Sequence, residues 1–302
     1  MKTKIAYSDR YYIDIGAHVF PTVKYKLIKD RLSKDLTIVN RIEFVEPVRA
    51  SDTDILRVHT EEYLNKLKFG KLSHQEVLTL ELPYSKELAY GAMLCCGGTI
   101  RAVEAALNDG LGVHLGGGFH HAFPDHGEGF CVLNDIAVAV KKEIGEGRIK
   151  RALIVDCDLH QGNGTAFIFQ NEDRVFTFSI HQENNYPFHK PKSDLDIGLQ
   201  DRTKDKMYLE HLNDNIPKII SSFKPELVVY VAGADPFESD QIGNLALTKR
   251  GLKDRDEFIY NQARNYQIPV AVVLAGGYAI NYEDTVDIQF TTIKTGIEIC
   301  NK

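Results

Sequence analysis

The chain lacks the features that would tie it to nucleic acid, a membrane or an oxidising compartment. No basic tract occurs, and 42 acidic residues outnumber 36 lysines and arginines, for a formal net charge of −6. Binding a phosphate backbone needs clustered cations, so direct nucleic-acid binding is not expected. A mildly acidic surface instead tolerates cationic partners such as lysine-rich peptides or amines. No apolar run reaches the roughly 20 residues of a membrane helix, and the opening "MKTKIAYSDRYYIDIG" lacks the continuous apolar stretch of a secretory signal. Cys95, Cys96, Cys131, Cys157 and Cys300 are odd in number, and none belongs to a C-x-x-C pair. That argues against a disulfide framework and against a thiolate zinc site. A cytoplasmic location is expected, with no membrane partner. Repeats, low-complexity segments and Pro/Ser-rich linkers are also missing.

What remains is a soluble-type composition, 43% hydrophobic and 26% charged over 302 residues. Short β-branched runs recur: "KIAY" (4–7), "LGVHL" (111–115), "ALIV" (152–155), "VFTFSI" (175–180), "LVVYVA" (227–232) and "VAVVLA" (270–275). They are continuous rather than alternating, as in strands buried on both faces of a parallel sheet. "LTIVNRIEFVEP" (36–47) is a weaker candidate. Helical patterns fill the gaps at 86–108, at 134–143 after an Asn134 cap, at 204–222, and at 248–266 with Thr248 as cap. The alternation predicts one α/β domain over residues 1–302 with a mostly parallel sheet. The first 80 residues are the least legible.

Polar clusters follow the strands: "GGGFHH" (116–121), "DCDLHQGNG" (156–164), His181 in "SIHQ", "GADP" (233–236) and "GGY" (276–278). In open α/β sheets, ligands bind at the carboxyl ends of the strands. If the strand stays extended through "VDCDLH", then Asp156, Asp158 and His160 share one face, because side chains alternate with period two. Asp158, His160 and Asp235 then form a set of two carboxylates and one imidazole that suits zinc or iron(II). Three protein ligands leave a position for water and substrate. Taken singly, each of these residues reads as a helix cap or loop contact; it is their conjunction that points to catalysis.

His120 and His121 supply the proton carriers that amide hydrolysis needs near neutral pH. Asp156 is placed to orient one imidazole, and Asn163 the other more weakly. Tyr278, after two glycines expected to let its hydroxyl swing over the substrate, suits donation to a carbonyl oxygen gaining charge.

With those residues in view, "GGGFHHA", "GFCVLNDIA", "IVDCDLHQGNGT", "GADPF…D" and "LAGGY" together resemble the zinc-dependent histone deacetylase family. The likeness is strongest to its class IV branch and bacterial relatives. It runs from about residue 4 to 285. The resemblance implies a three-layer arginase/deacetylase fold with about eight strands, one zinc ion per chain, and hydrolysis of acyl groups from the ε-amine of lysine in proteins or peptides. It implies that His121 shuttles the proton while His120, held by Asp156, is its electrostatic partner. It also implies a structural potassium ion near Asp156, Asp158, His160, Ser179 and Ile180, and a substrate tunnel at Gly129, Phe130, Tyr186, Ile242, Gly276 and Gly277. Many members hold the second histidine with an aspartate; Asn163 stands there instead, which should leave His121 less basic. The class IV likeness raises long-chain fatty acyl groups beside acetyl.

Four other readings compete. A binuclear manganese ureohydrolase wants further carboxylates where Gly162 and Gly233 stand. An acylpolyamine or small acylated-amine amidohydrolase would use the same site with a different rim. An inactive acyl-lysine binder is at odds with an intact set of ligands, dyad and tyrosine. A nucleotide-binding fold would need G-x-G-x-x-G spacing, which "GGGFHH" lacks.

Overall fold

The computed structural model describes residues 2–300. The strands are β1 (Thr3–Ala6), β2 (Ile42–Val45), β3 (Leu111–His114), β4 (Ala152–Asp156), β5 (Val175–Gln182), β6 (Leu195–Leu199), β7 (Leu227–Val231) and β8 (Val270–Val273). The helices are α1 (Lys24–Lys34), α2 (Asp52–Ile55), α3 (Glu61–Phe69), α4 (His74–Leu80), α5 (Lys86–Asp109), α6 (Asp135–Gly145), α7 (Asn163–Phe169), α8 (Asp205–Phe223), α9 (Lys249–Asn265) and α10 (Tyr282–Cys300). All strands join one sheet in the order β2-β1-β3-β8-β7-β4-β5-β6. Every pairing is parallel.

The β-branched runs become the central strands, as their continuity predicts. Every residue of β3, β4, β7 and β8 is buried. Successive residues serve opposite faces. Leu153, Val155 and Tyr230 join a core with Leu252, Ile259 and Ile293, while Ile154, Val229 and Val231 join a second core with Val103, Ile136 and Val140. The sheet is thus sandwiched between α5 and α6 on one side and α1, α8, α9 and α10 on the other. Each fully buried Val or Leu contributes roughly 1.5–3 kcal/mol, which explains why both faces must be apolar. Asn134 caps α6 by accepting from Ala137 N, and Thr248 caps α9 by accepting from Gly251 N.

Two edges differ from expectation. β2 occupies only the end of the 36–47 segment, after a short 3-10 turn at Val39–Arg41. β6, in "LDIGL", was not foreseen; as an edge strand it keeps only Leu199 buried, so it carries no apolar run. The five cysteines are free. No helix among the described residues is long and apolar enough to cross a membrane.

Two buried histidines away from the strand-end loops give the fold an acid sensitivity. His114 is wedged between Thr99 Oγ1 at 2.8 Å and Tyr11 Oη at 2.7 Å. His59 Nε2 accepts from Asn134 N at 3.0 Å. Burial holds His59 down at about 4 and His114 at about 3. The unfolded chain takes up these protons near pH 6.5 and the folded chain refuses them, so stability present above 6.5 is lost as pH falls toward 4 and 3. The imidazole C–H resonances of both residues are expected not to titrate between pH 7.5 and 5, the range over which their own contribution to stability begins to fall. Midpoints near 6.5 for both would contradict this.

Candidate metal centre and active site

The loops after β3, β4, β7 and β8 converge on one rim of the sheet. The strand does not stay extended through "VDCDLH": β4 stops at Asp156, and two tight turns follow. Asp158 N donates to Asp156 Oδ1 at 3.1 Å, and His160 N donates to Asp158 Oδ1 at 3.0 Å. The three side chains meet through these side-chain-to-backbone turns, not through strand periodicity. Asp235 arrives from the loop after β7 and is stitched on by Leu159 N, which donates to its Oδ1 at 3.0 Å.

Asp158, His160 and Asp235 are all buried, and one ligand atom from each lies within 4.8 Å of the others. His160 Nδ1 stands 3.2 Å from Asp158 Oδ1 and 3.3 Å from Asp235 Oδ2. Asp235 Oδ2 is buried with no hydrogen-bond partner. An acceptor left bare beside a second carboxylate is costly unless a cation meets it. Burial, then Asp158, pushes the Asp235 carboxyl up to about 7. Burial disfavours a charged His160, but Asp158 and Asp235 outweigh it and raise the imidazole to about 10. Left alone, the set holds protons; a divalent cation is the charge that replaces them. The donor set fits one such ion.

It leaves no room for a carboxylate where a second ion would want one. A Cβ on Gly233 would stand 2.5 Å from Asp158 Oδ2 and 2.6 Å from Asp235 Oδ1. Gly276 is tighter still: its N donates to Asp158 Oδ2 at 2.9 Å, and a Cβ would lie 2.1 Å from Asp235 Oδ2. Gly276 therefore serves close packing against the ligands, where the sequence suggested a swing of Tyr278.

Beside the ligands, the His120 and His121 rings lie 4.1 Å apart. His120 Nδ1 donates to Asp156 Oδ2 at 2.7 Å, and His121 Nδ1 pairs with Asn163 Oδ1 at 2.7 Å. Burial works against a charged His120, but Asp156 and Asp158 prevail and push it up to about 9. Burial, then the His120 and His160 imidazoles, pull His121 well below the ordinary histidine value; Asn163 offsets only part of this. The two histidines are thus driven apart, one toward cation and one toward neutral base. Tyr278 Oη takes no hydrogen-bond partner among the described residues. Its ring lies 6.4 Å from that of His160, and burial keeps the phenol protonated.

These groups open to solvent through a mouth of about 200 Å³. Gly129, Phe130, Tyr186 and Ile242 line it together with Glu81 and Asn185. Gly276 and Gly277 do not; Gly276 faces Asp158 and Asp235, and Gly277 faces Thr285 and Ala234. Ser179 and Ile180 lie on β5, with Ser179 in register beside Asp156.

Sequence reasoning passed over several residues that shape the site. Asp240 Oδ2 accepts from Tyr278 N at 2.8 Å. Arg255 is fully buried, and its Nη1 donates to Gly233 O at 2.7 Å and Cys157 O at 3.3 Å, gripping the loops that carry Asp158 and Asp235. Lys24 Nζ donates to Ala275 O at 2.7 Å; burial pushes it down to about 8, against the pull of Asp235 and Asp158. Arg255 sits in a helix predicted over 248–266 and Lys24 in the least legible part of the chain, and nothing in their local sequence marks either. Glu128 had a signal, an acid between two glycines in "GEGF".

Comparison with known proteins agrees with this geometry. The model of the histone deacetylase domain matches residues 18–292. An uncharacterized protein of Picosynechococcus sp. is 39% identical over 269 residues, covering 89% of each chain. Histone deacetylase 2 of Arabidopsis thaliana is 31% identical over 290 residues, covering 92% of this chain and 75% of its own. The crystal structure of the HDA15 HD domain superposes with a TM-score of 0.80 at 21% identity, covering 99% of this chain and 91% of that one.

Proposed function

The chain belongs to the histone deacetylase family, and from that premise we propose that it removes acyl groups from the ε-amine of lysine in proteins or peptides, as a single catalytic domain of class IV type in a reducing cytoplasm. The observation that carries this reading is the meeting, at one mouth, of three buried ligand atoms within 4.8 Å of one another with a histidine pair and a tyrosine hydroxyl. When bound by Asp158, His160 and Asp235, a zinc ion (iron(II) suits the same donors) supplies Lewis acidity toward a carbonyl and acidifies water to a pKa of roughly 7.

The chain's own residues do the rest. His121, neutral and bare at Nε2, takes the proton of the attacking water and returns it to the leaving amine. His120, kept cationic by Asp156, stabilises the negative charge that develops beside it. Tyr278 Oη donates to the acyl oxygen as the carbonyl turns tetrahedral. Asn163 and Asp156 orient the two imidazoles. A structural potassium ion would be held by Asp156, Asp158, His160, Ser179 and Ile180, at and just beyond the paired strands β4 and β5.

Two features bear on the substrate. Glu81 places a carboxylate in the mouth, which favours a cationic partner and keeps acylated amines such as polyamines as a second reading. Behind Phe130, an apolar chamber of about 50 Å³ is lined by Phe20, Phe119 and Val132 among others. Phe130 lines both this chamber and the mouth, which makes the chamber a candidate seat for the acyl chain; the relative turnover of acetyl, butyryl and myristoyl groups tests it. The test is a panel of acetyl-, butyryl- and myristoyl-lysine peptides and acetylated polyamines, assayed with and without a chelator. Hydrolysis of a lysine peptide that stops on metal removal and returns with zinc supports the proposal. Undiminished turnover in the fully metal-free protein would refute it.

A further inference from the structure

Glu128 has no part in the proton transfers of the proposed reaction. Glu128 is half-buried beside the mouth, and its Oε1 accepts two hydrogen bonds at 2.7 Å each, from Asn163 Nδ2 and from Tyr186 Oη. Its Oε2 lies 3.5 Å from His126 Nε2. Burial works against its charge, but the bonds from His126, Tyr186 and Asn163 outweigh it and hold Glu128 below the usual carboxylate range. An ionised carboxylate accepts and cannot donate. The Asn163 amide must therefore turn its NH2 toward Glu128 and its carbonyl oxygen toward His121. That oxygen also only accepts, so the single hydrogen of a neutral His121 sits on Nδ1 and Nε2 keeps its lone pair. An amide free to flip would present its NH2 to Nδ1 and force the opposite tautomer.

We propose that Glu128 is a positioning residue that fixes the orientation of the Asn163 amide, through it the tautomer of His121, and with the same oxygen anchors Tyr186 in the tunnel wall. The consequence for catalysis rests on the deacylase reading; the hydrogen-bond direction does not. Glu128 touches none of Asp158, His160 and Asp235, so its loss should leave metal content unchanged.

The structure makes one counter-intuitive demand. An aspartate at position 163 would ordinarily strengthen the neighbouring histidine as a base. Here it would meet Glu128 oxygen to oxygen, at hydrogen-bond distance, with no donor between them. N163D is therefore expected to lose a few degrees of Tm and to turn over more slowly, and E128Q in the same chain, which supplies an amide donor, restores both. E128A alone is expected to lower kcat by roughly tenfold, within the range for groups that orient active-site histidines, and to raise KM by loosening Tyr186; Y186F raises KM only. In protein labelled with 15N at histidine, wild-type His121 should show hydrogen at Nδ1, and E128A a mixture of tautomers. N163D as stable as wild type, no rescue by E128Q, or an unmoved tautomer in E128A would each overturn the role of Glu128. The Tm and tautomer readouts need no turnover, so they decide this point even if the deacylase reading fails. Conversely, an active wild type with an indifferent N163D sinks only Glu128.

Discussion

Asp235→Asn is expected to abolish stoichiometric zinc binding and to lower kcat/KM by about three orders of magnitude, or on the order of 4 kcal/mol. Asp235 Oδ2 is the ligand oxygen left without a hydrogen bond, and an amide there offers a neutral oxygen or an NH2 that clashes electrostatically with a cation. The same change should not harm the metal-free fold. Burial and Asp158 hold the Asp235 carboxyl at about 7, above its ordinary value near 3.8. Its contribution to the metal-free protein is therefore full below pH 3.8 and lost as pH rises through 7. Above pH 7, metal-free D235N should melt no lower than metal-free wild type, while added zinc raises the Tm of wild type alone. Metal analysis and melting curves check both halves. One zinc ion per chain in D235N, with wild-type rates, would remove Asp235 from the ligand set.

Tyr278→Phe is expected to slow turnover by roughly two to three orders of magnitude with KM little changed, because an oxyanion donor acts on charge that exists only in the transition state. The change should spare everything else. Tyr278 Oη holds no partner among the described residues, and the segment is fixed through its backbone, by Asp240 Oδ2 accepting from Tyr278 N at 2.8 Å. Zinc content and Tm should match wild type, which separates lost chemistry from lost structure. Full activity in a metal-loaded Y278F enzyme would take Tyr278 out of the mechanism.

Much of this fold could be read in advance because burial on both faces leaves a plain trace. β4 and β7 are apolar at consecutive positions, and helix caps such as Asn134 and Thr248 announce themselves by residue type. β6 escaped because an edge strand is half-exposed and need not be apolar. The ligand residues were legible as types at strand ends, yet the reason given for their meeting was mistaken: turns after Asp156, not an extended chain, aim Asp158 and His160. The packing of Gly276 and Gly277 against Asp158, Asp235, Ala234 and Thr285 was hidden because it involves residues distant in the chain.

The order of residues along the chain thus determined which strands form, where helices begin, and which donors stand at each strand end, since propensity, capping and hydrophobic pattern act over a few neighbouring residues. Only the tertiary structure decided that Asp235 Oδ2 is left bare beside His160, that Glu128 dictates the orientation of Asn163, and that Lys24 and Arg255 lie buried near the acid cluster. Those outcomes depend on distances between atoms far apart in the chain, and on the loss of water around them. Neither quantity exists until the sheet has closed.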